Sequence, residues 1–437
     1  MKHFLVAAML AAACLVVMLI EVRAEIPERK FVITDFGAVG DGTTTNTEAI
    51  RKAVAACSQA GGGTVSVPAG TFVTVPFELG SNMALELDAG ATILGSENFD
   101  DYKQPGAAVG NALENELKPV MRPLISAAGA TNIAIVGHGT IDGAGQRWWE
   151  RVRKEKAAGA AAQGQKAVGM PTQSPRPRLV MFSDCGQVHV QGVTLKDAPN
   201  FNLVPVRCHD VVIEDVTIIA PSDSPNTDGI DPGNSRDVII RRCTISVGDD
   251  HVSFKSNAGQ PALENVRVSD CIFGHGHGTS VGSNIGGGVR NIIVERCSFI
   301  GANPAIRIKS ARDRGGLVEN VVFRDIKMKQ VGTAITINMF YFDKAGQKDR
   351  ETKPVTKTTP VVRNVKIENV TIDGARSAGE IIGLPEMPAT NIVLDHVHGT
   401  ADTGMTIRDA AGLELRDVEI KTERGEPLTI SHADYRK

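Results

Sequence analysis

Aromatic side chains are scarce in this 437-residue chain: two Trp, three Tyr and 14 Phe make up 4% of it. A core built on large rings is therefore excluded. Interior volume has to come from Val, Ile, Leu, Ala and smaller residues, which suits closely stacked, self-similar layers. Charge of one sign is lacking too. Lys and Arg number 47 against 50 Asp and Glu, a formal net charge of −3. The basic excess of a general nucleic-acid binder is absent, although a local basic cleft for an acidic ligand stays open. With 42% hydrophobic and 22% charged residues, the composition is that of a soluble globular protein, neither disordered nor polytopic. Glycine, at 45 residues, is abundant.

The chain begins with the basic Met1-Lys2-His3, continues through 17 uncharged residues from Phe4 to Ile20, and reaches Val22-Arg23-Ala24. This is the layout of a secretory signal peptide, with cleavage expected after Ala24. Residues 1–24 are thus read as the leader, and residues 25–437 as one exported domain, secreted or periplasmic, with no membrane attachment after cleavage. A 17-residue run could also just span a bilayer as an uncleaved anchor. Lipid attachment at Cys14 fits less well, because the apolar run continues past it. Six cysteines then remain: Cys57, Cys185, Cys208, Cys243, Cys271 and Cys297. An even number in an exported chain usually signals disulfides, but an internal repeat gives a different reading.

In that repeat a polar residue, often Asn or Asp, precedes apolar residues at offsets 0, +2 and +5, usually also +7. It starts at Val188, Val211, Val238, Val266, Ile292, Val321, Val365, Ile392 and Leu413. The spacing of two is a strand period, and no 3.6-residue period accompanies it. Each unit is too short to bury its own apolar face, so the units must stack. Coils of this length with short strands make a parallel β-helix, in which equivalent residues lie about 4.8 Å apart on neighbouring coils. Cys243, Cys271 and Cys297 share the +5 offset with Val193, Val216 and Ile326, so they are expected as a buried ladder of free thiols. Asn46 to Cys57 reads as a short helix capping the open end of the core. Residues 147–175 and 342–359 break the period and read as projecting loops. Trp148-Trp149, in the first of them, suits a sugar-stacking platform and loop packing equally. No linker interrupts the chain, and a single all-β domain is expected.

Polar residues recur at equivalent positions. Offset +11 holds Ser222, Asp249, His277 and Asn303; offset +17 holds Asp228, Lys255, Ser283 and Lys309, with Arg307 at +15. Such strips would place three carboxylates, Asp228, Asp249 and Asp250, beside cations. Clustered carboxylates repel, so at least one should hold its proton near neutral pH while another stays ionised. Glycoside hydrolysis needs that division. The fork of Arg307 suits a substrate carboxylate, which points to hydrolysis of an acidic sugar polymer. His275-Gly276-His277 has no further ligand at zinc spacing, and neither a metal nor a cofactor is expected.

Asn226-Thr227-Asp228, Gly248-Asp249-Asp250, Gly276-His277-Gly278 and Arg307-Ile308-Lys309 occur in this order. The set resembles the polygalacturonase family of pectin-degrading glycoside hydrolases, family 28. The likeness runs from Phe31–Ala38 through Ile141-Asp142-Gly143 to the C-terminal coils. It implies a right-handed parallel β-helix and single-displacement, inverting hydrolysis of α-1,4-galacturonan. Asp249 would protonate the leaving oxygen. Asp228 and Asp250 would activate water on the opposite face, and His277 would maintain the acid. Arg307 and Lys309 would bind the galacturonate carboxylate, joined by Tyr341, whose surroundings differ from the family's. Asn226 and Lys255 complete the expected substrate-binding set. The Arg-x-Lys pair and the Asp-Asp favour plain galacturonan over rhamnogalacturonan, and the N-terminal part leans towards bacterial exo-acting members. A monomer is expected. Two other readings remain: a calcium-dependent polysaccharide lyase using the same aspartates, and a non-catalytic β-helix that binds polysaccharide, which would leave the stacked charges unexplained.

Overall fold

The computed structural model describes residues 25–104, 121–163 and 174–436. The expected leader, residues 1–24, lies outside them. Every extended ladder is parallel, and pairing follows the sequence repeat. Val188, Val211, Val238, Val266, Ile292, Val321, Val365 and Ile392 stand opposite one another on successive coils. Twenty-four strands join in one wound sheet, and four more, Phe77–Glu78, Ile125–Ala128, Val180–Ser183 and Leu203–Val206, form a second. The expected parallel β-helix is the observed architecture.

The polar residue before each repeat start explains the turn. Asp237, Asn265, Asn291, Asn320, Asn364 and Asn391 all have φ between 54° and 58°. Asn and Asp tolerate this left-handed conformation best among residues with a side chain. Their amides also form a continuous ladder: each Asn Nδ2 donates to the Oδ1 one coil before it, at 2.9–3.1 Å. Inside, Cys243, Cys271 and Cys297 are buried free thiols, as are Cys57, Cys185 and Cys208. The Phe273 and Phe299 rings pack at a tilt, 4.9 Å apart, on adjacent coils.

The helix Thr47–Gln59 buries Ile50, Ala53 and Cys57, spaced on one face, and packs on the first strands. It is the expected cap. Residues 147–163 depart from the expected loop, while residues 164–173 of the same segment lie outside the described residues. The departure is a helix, Gln146–Gln163, whose Ala, Arg, Lys, Glu and Gln are strong helix formers. Trp148 is 1% and Trp149 2% exposed. Trp148 packs on Phe99 at 4.3 Å and Tyr102 at 5.5 Å, and Trp149 Nε1 donates to the Ala198 carbonyl at 3.1 Å. Neither ring can stack on a sugar. Residues 342–359 are mostly irregular but contain a short helix, Lys344–Asp349, capped by Asp343. Among the described residues no helix is long and apolar enough to cross a membrane.

Candidate active site

One face of the solenoid carries Val252–Ser256, Thr279–Ile285 and Ile306–Lys309 in register, preceded by bridges from Leu203 to Ile230 and from Ile230 to Val252. The turns that enter this face bring the expected acids together. Asp228 precedes Ile230, Asp249 and Asp250 precede Val252, and His277 precedes Thr279. Thr227 ties two of these turns by accepting from Gly248 N at 2.9 Å. The glycines around His277 are dictated by space. Gly276 has φ 141°, and a Cβ there would lie 2.6 Å from His251 Nε2; at Gly278 (φ 66°) it would lie 2.0 Å from the Ala305 carbonyl.

The register differs from the offset count in one respect. Lys255 pairs with Gly233, not Asp228, and Lys309 with Gly282, not Ser283. The turns between strands vary in length from coil to coil, so an offset counted from the first strand drifts by the time it reaches this face. At +11 the alignment holds better: His277 N donates to the Asp249 carbonyl, and Asn303 N to that of Gly276, both at 2.8 Å.

Each acid has its own surroundings. The Asp250 side chain, 2% exposed, accepts from Lys309 Nζ at 2.8 Å, Arg307 at 3.4 Å, Ser280 at 2.7 Å and Ser253 at 3.1 Å. Burial pushes its carboxyl up, but Lys309 and Arg307 outweigh burial and hold it far below the usual range. Asp228, 4% exposed, meets Lys255 Nζ at 3.2 Å. Burial raises its carboxyl well above the ordinary value; Lys255 offsets only part, and Asp231, Asp249 and Asp250 push the same way as burial. Its Oδ1 has no protein hydrogen-bond partner. Asp249 is the accessible acid at 21% exposure, with His277 Nδ1 at 2.9 Å and Asn226 Nδ2 at 3.3 Å. Burial raises it, but the His277 contact prevails and the net shift is downward.

The expected binding residues separate into two groups. Arg307 donates to Tyr341 Oη at 3.1 Å, and Arg307 and Lys309 lie over the Tyr341 ring at 5.1 and 5.3 Å, a cation–π arrangement. Lys255 faces the acids instead, bridging Asp228 and Asp231 (2.7 Å) beneath the Phe201 ring.

Several contributors were not singled out from the sequence. Asp231, Ser253 and Ser280 hold the charged groups in place. Ser253, Ser280 and Arg307 stand in one register row, a signal visible only once coils are aligned on this face. Arg176 is buried and grips the Asn226 turn, donating to Asn226 Oδ1 at 2.7 Å and to the Pro199 and Pro225 carbonyls. Burial lowers its guanidinium to about 10, against the pull of Asp228 and Asp249. His251, behind Asp250, is pushed down to about 4 by burial, and as a neutral ring it donates Nε2–H to the His275 carbonyl.

Ligand atoms of Asp249, Asp250 and His277 lie within 4.8 Å of one another, close enough to share a cation. Lys309 and Arg307 already supply positive charge to Asp250, and His277 and Asn226 engage Asp249. Asp249 and Asp250 are thus already engaged by side chains of the protein.

The family profile described as "Glycosyl hydrolases family 28" matches residues 57–410. An exo-poly-alpha-D-galacturonosidase of Dickeya chrysanthemi is 32% identical over 393 residues, covering 80% of this chain and 64% of that protein. An endo-polygalacturonase of Pectobacterium carotovorum is 31% identical over 315 residues, covering 70% and 74%. The solved family 28 exopolygalacturonase of Yersinia enterocolitica superposes with a TM-score of 0.76 at 25% identity, over 93% of this chain and 78% of that one. With four ordered motifs gathered at one cleft, the chain belongs to glycosyl hydrolases family 28 and is a glycoside hydrolase.

Proposed function

We propose that this enzyme hydrolyses the α-1,4-galacturonosyl bonds of polygalacturonate outside the cytoplasm, with inversion. The observation that carries the reading is the convergence of three unlike carboxyl groups with Arg307, Lys309 and Tyr341 at one cleft. Asp249, the accessible acid, gives its proton to the glycosidic oxygen as the C1–O bond breaks. Water attacks C1 from the opposite face and passes its proton to a carboxylate. Asp228 suits the base role once it is ionised: burial makes its carboxylate a stronger base than Asp249 or Asp250, and its Oδ1 has no competing partner. Asp250, held ionised by Lys309 and Arg307, orients the water. The three acids lie close enough that a proton held by one favours ionisation of the others. The productive arrangement puts a proton on Asp249 and leaves Asp228 charged, the reverse of the order of their separate proton affinities; the Lys255 contact is what favours the charged Asp228. Arg307, paired with Tyr341, faces the substrate carboxylate.

Exo- and endo-acting relatives match this chain at similar identity; the N-terminal part of the sequence leans slightly towards action from the chain end, and the size distribution of early products tests it. Asp249→Asn keeps the shape and removes the proton donor. It is expected to lower kcat on polygalacturonate by about 100-fold or more with the unfolding midpoint retained. Unchanged turnover would take Asp249 out of the mechanism.

A further inference from the structure

Beside Tyr341 the cleft opens into a hollow of about 570 Å³ towards the C-terminal coils. Its charge is unbalanced: Arg307, Lys309, Lys344, Lys348 and Arg408 line it, against the single carboxylate of Glu380. Arg307 and Lys309 are engaged with Asp250. Lys344 and Lys348 are exposed, and among the described residues neither has an ion-pair partner. They stand one helical turn apart on the short helix of the segment that interrupts the repeat, where like charges at i and i+4 repel.

That helix is fastened in place. Gln347 Oε1 accepts from Asn338 Nδ2 at 3.0 Å, Arg408 donates to the Gln347 carbonyl, and Arg350 pairs with Asp409 at 2.6 Å. A mutually repelling pair of lysines is thus held over a cationic hollow whose one carboxylate, Glu380, is engaged by Asn338 and Gln347. The groove continues into a second hollow of about 490 Å³, lined by Thr403, Thr406 and Thr429, where one cation, Arg424, stands among two acids, Glu380 and Glu426, and pairs with Asp402. The demand for negative charge is local to the first hollow.

We propose that the first hollow is a second carboxylate-binding subsite. It takes an unesterified galacturonosyl unit next to the cleavage site, on the side of the C-terminal coils, through Lys344 and Lys348. The proposal rests on the reading of the cleft as a galacturonan hydrolase and adds a specificity element that the catalytic motifs do not contain. Methyl esterification of that unit would remove the anion the lysines meet.

The test is calorimetric binding of trigalacturonate to the full chain carrying Asp249→Asn, with and without K344A/K348A. The double alanine variant is expected to weaken Kd by about tenfold and to flatten its dependence on salt. K344R/K348R, which keeps both charges, should bind within about twofold of the parent. Unchanged Kd in the alanine variant would overturn the subsite, as would equal weakening by the arginine variant. Hydrolysis of polygalacturonate by the wild-type enzyme is measured alongside. If it fails while binding still depends on the two lysines, the catalytic reading falls and the subsite stands.

Discussion

Asp228 binds its proton more tightly in the folded enzyme than in the unfolded chain, because burial disfavours its charged form more than Lys255 favours it. The consequence for stability has a definite sign. Below the unfolded carboxylate value Asp228 is neutral in both states and costs nothing. As pH rises from there towards the raised folded value, stability falls by about 1.4 kcal/mol per pH unit. Asp228→Asn removes this dependence, so the variant should unfold at higher urea than wild type at pH 7. The gain should vanish near about pH 4. A variant less stable than wild type at pH 7 would mean that the Lys255 contact outweighs burial. Asp250 behaves oppositely: Lys309 and Arg307 depress it, so its contribution is present above the unfolded value and is lost as pH falls. The sequence showed which acids lie at the site through their motifs, but not this ordering of proton affinities. Asp231, Arg176, Ser253 and Ser280 stand in no motif, and they reach the acids only through coil register and turn geometry.

At the scale of elements, the Asn ladder and the helix Gln146–Gln163 carry separate tests. Asn291 is exposed, has φ 57°, and both donates to Asn265 and accepts from Asn320. Asn291→Ala is expected to cost about 1–2 kcal/mol through the left-handed backbone. Asn291→Gly, which tolerates that conformation, should lose less; comparison of urea midpoints decides, and equal losses would assign the cost to the amide ladder alone. Trp148 is a packing residue, so Trp148→Ala should lower stability by about 3 kcal/mol or more while KM for polygalacturonate stays put. A rise in KM at full folding would return the ring to the substrate. The strands were legible because a period of two and a polar turn residue recur on every coil. The helix was not, because its second half is an Ala/Gly/Gln tract with no apolar period, and only the short stripe of Trp148, Trp149 and Val152 buries it. Residue offsets placed the +17 strip poorly for a related reason: strands keep register from coil to coil, while the turns between them do not keep length.

On the scale of the whole molecule, stacking coils turns residues far apart in sequence into one continuous face. Acids from two turns, His277 from a third and cations from the strand Ile306–Lys309 meet there, and the groove then runs on towards the C-terminal coils. The order of the four motifs made the family legible in the sequence itself. The wall formed by Lys344–Asp349 was not, since it comes from a segment that breaks the repeat. The account stands on hydrolysis by side chains alone, and mass spectrometry of polygalacturonate products, with and without a calcium chelator, tests it most directly. Saturated galacturonate products, formed equally in both conditions, are the predicted result. Unsaturated products that disappear with the chelator would contradict it and would reassign Asp228, Asp249 and Asp250 to a metal-dependent elimination.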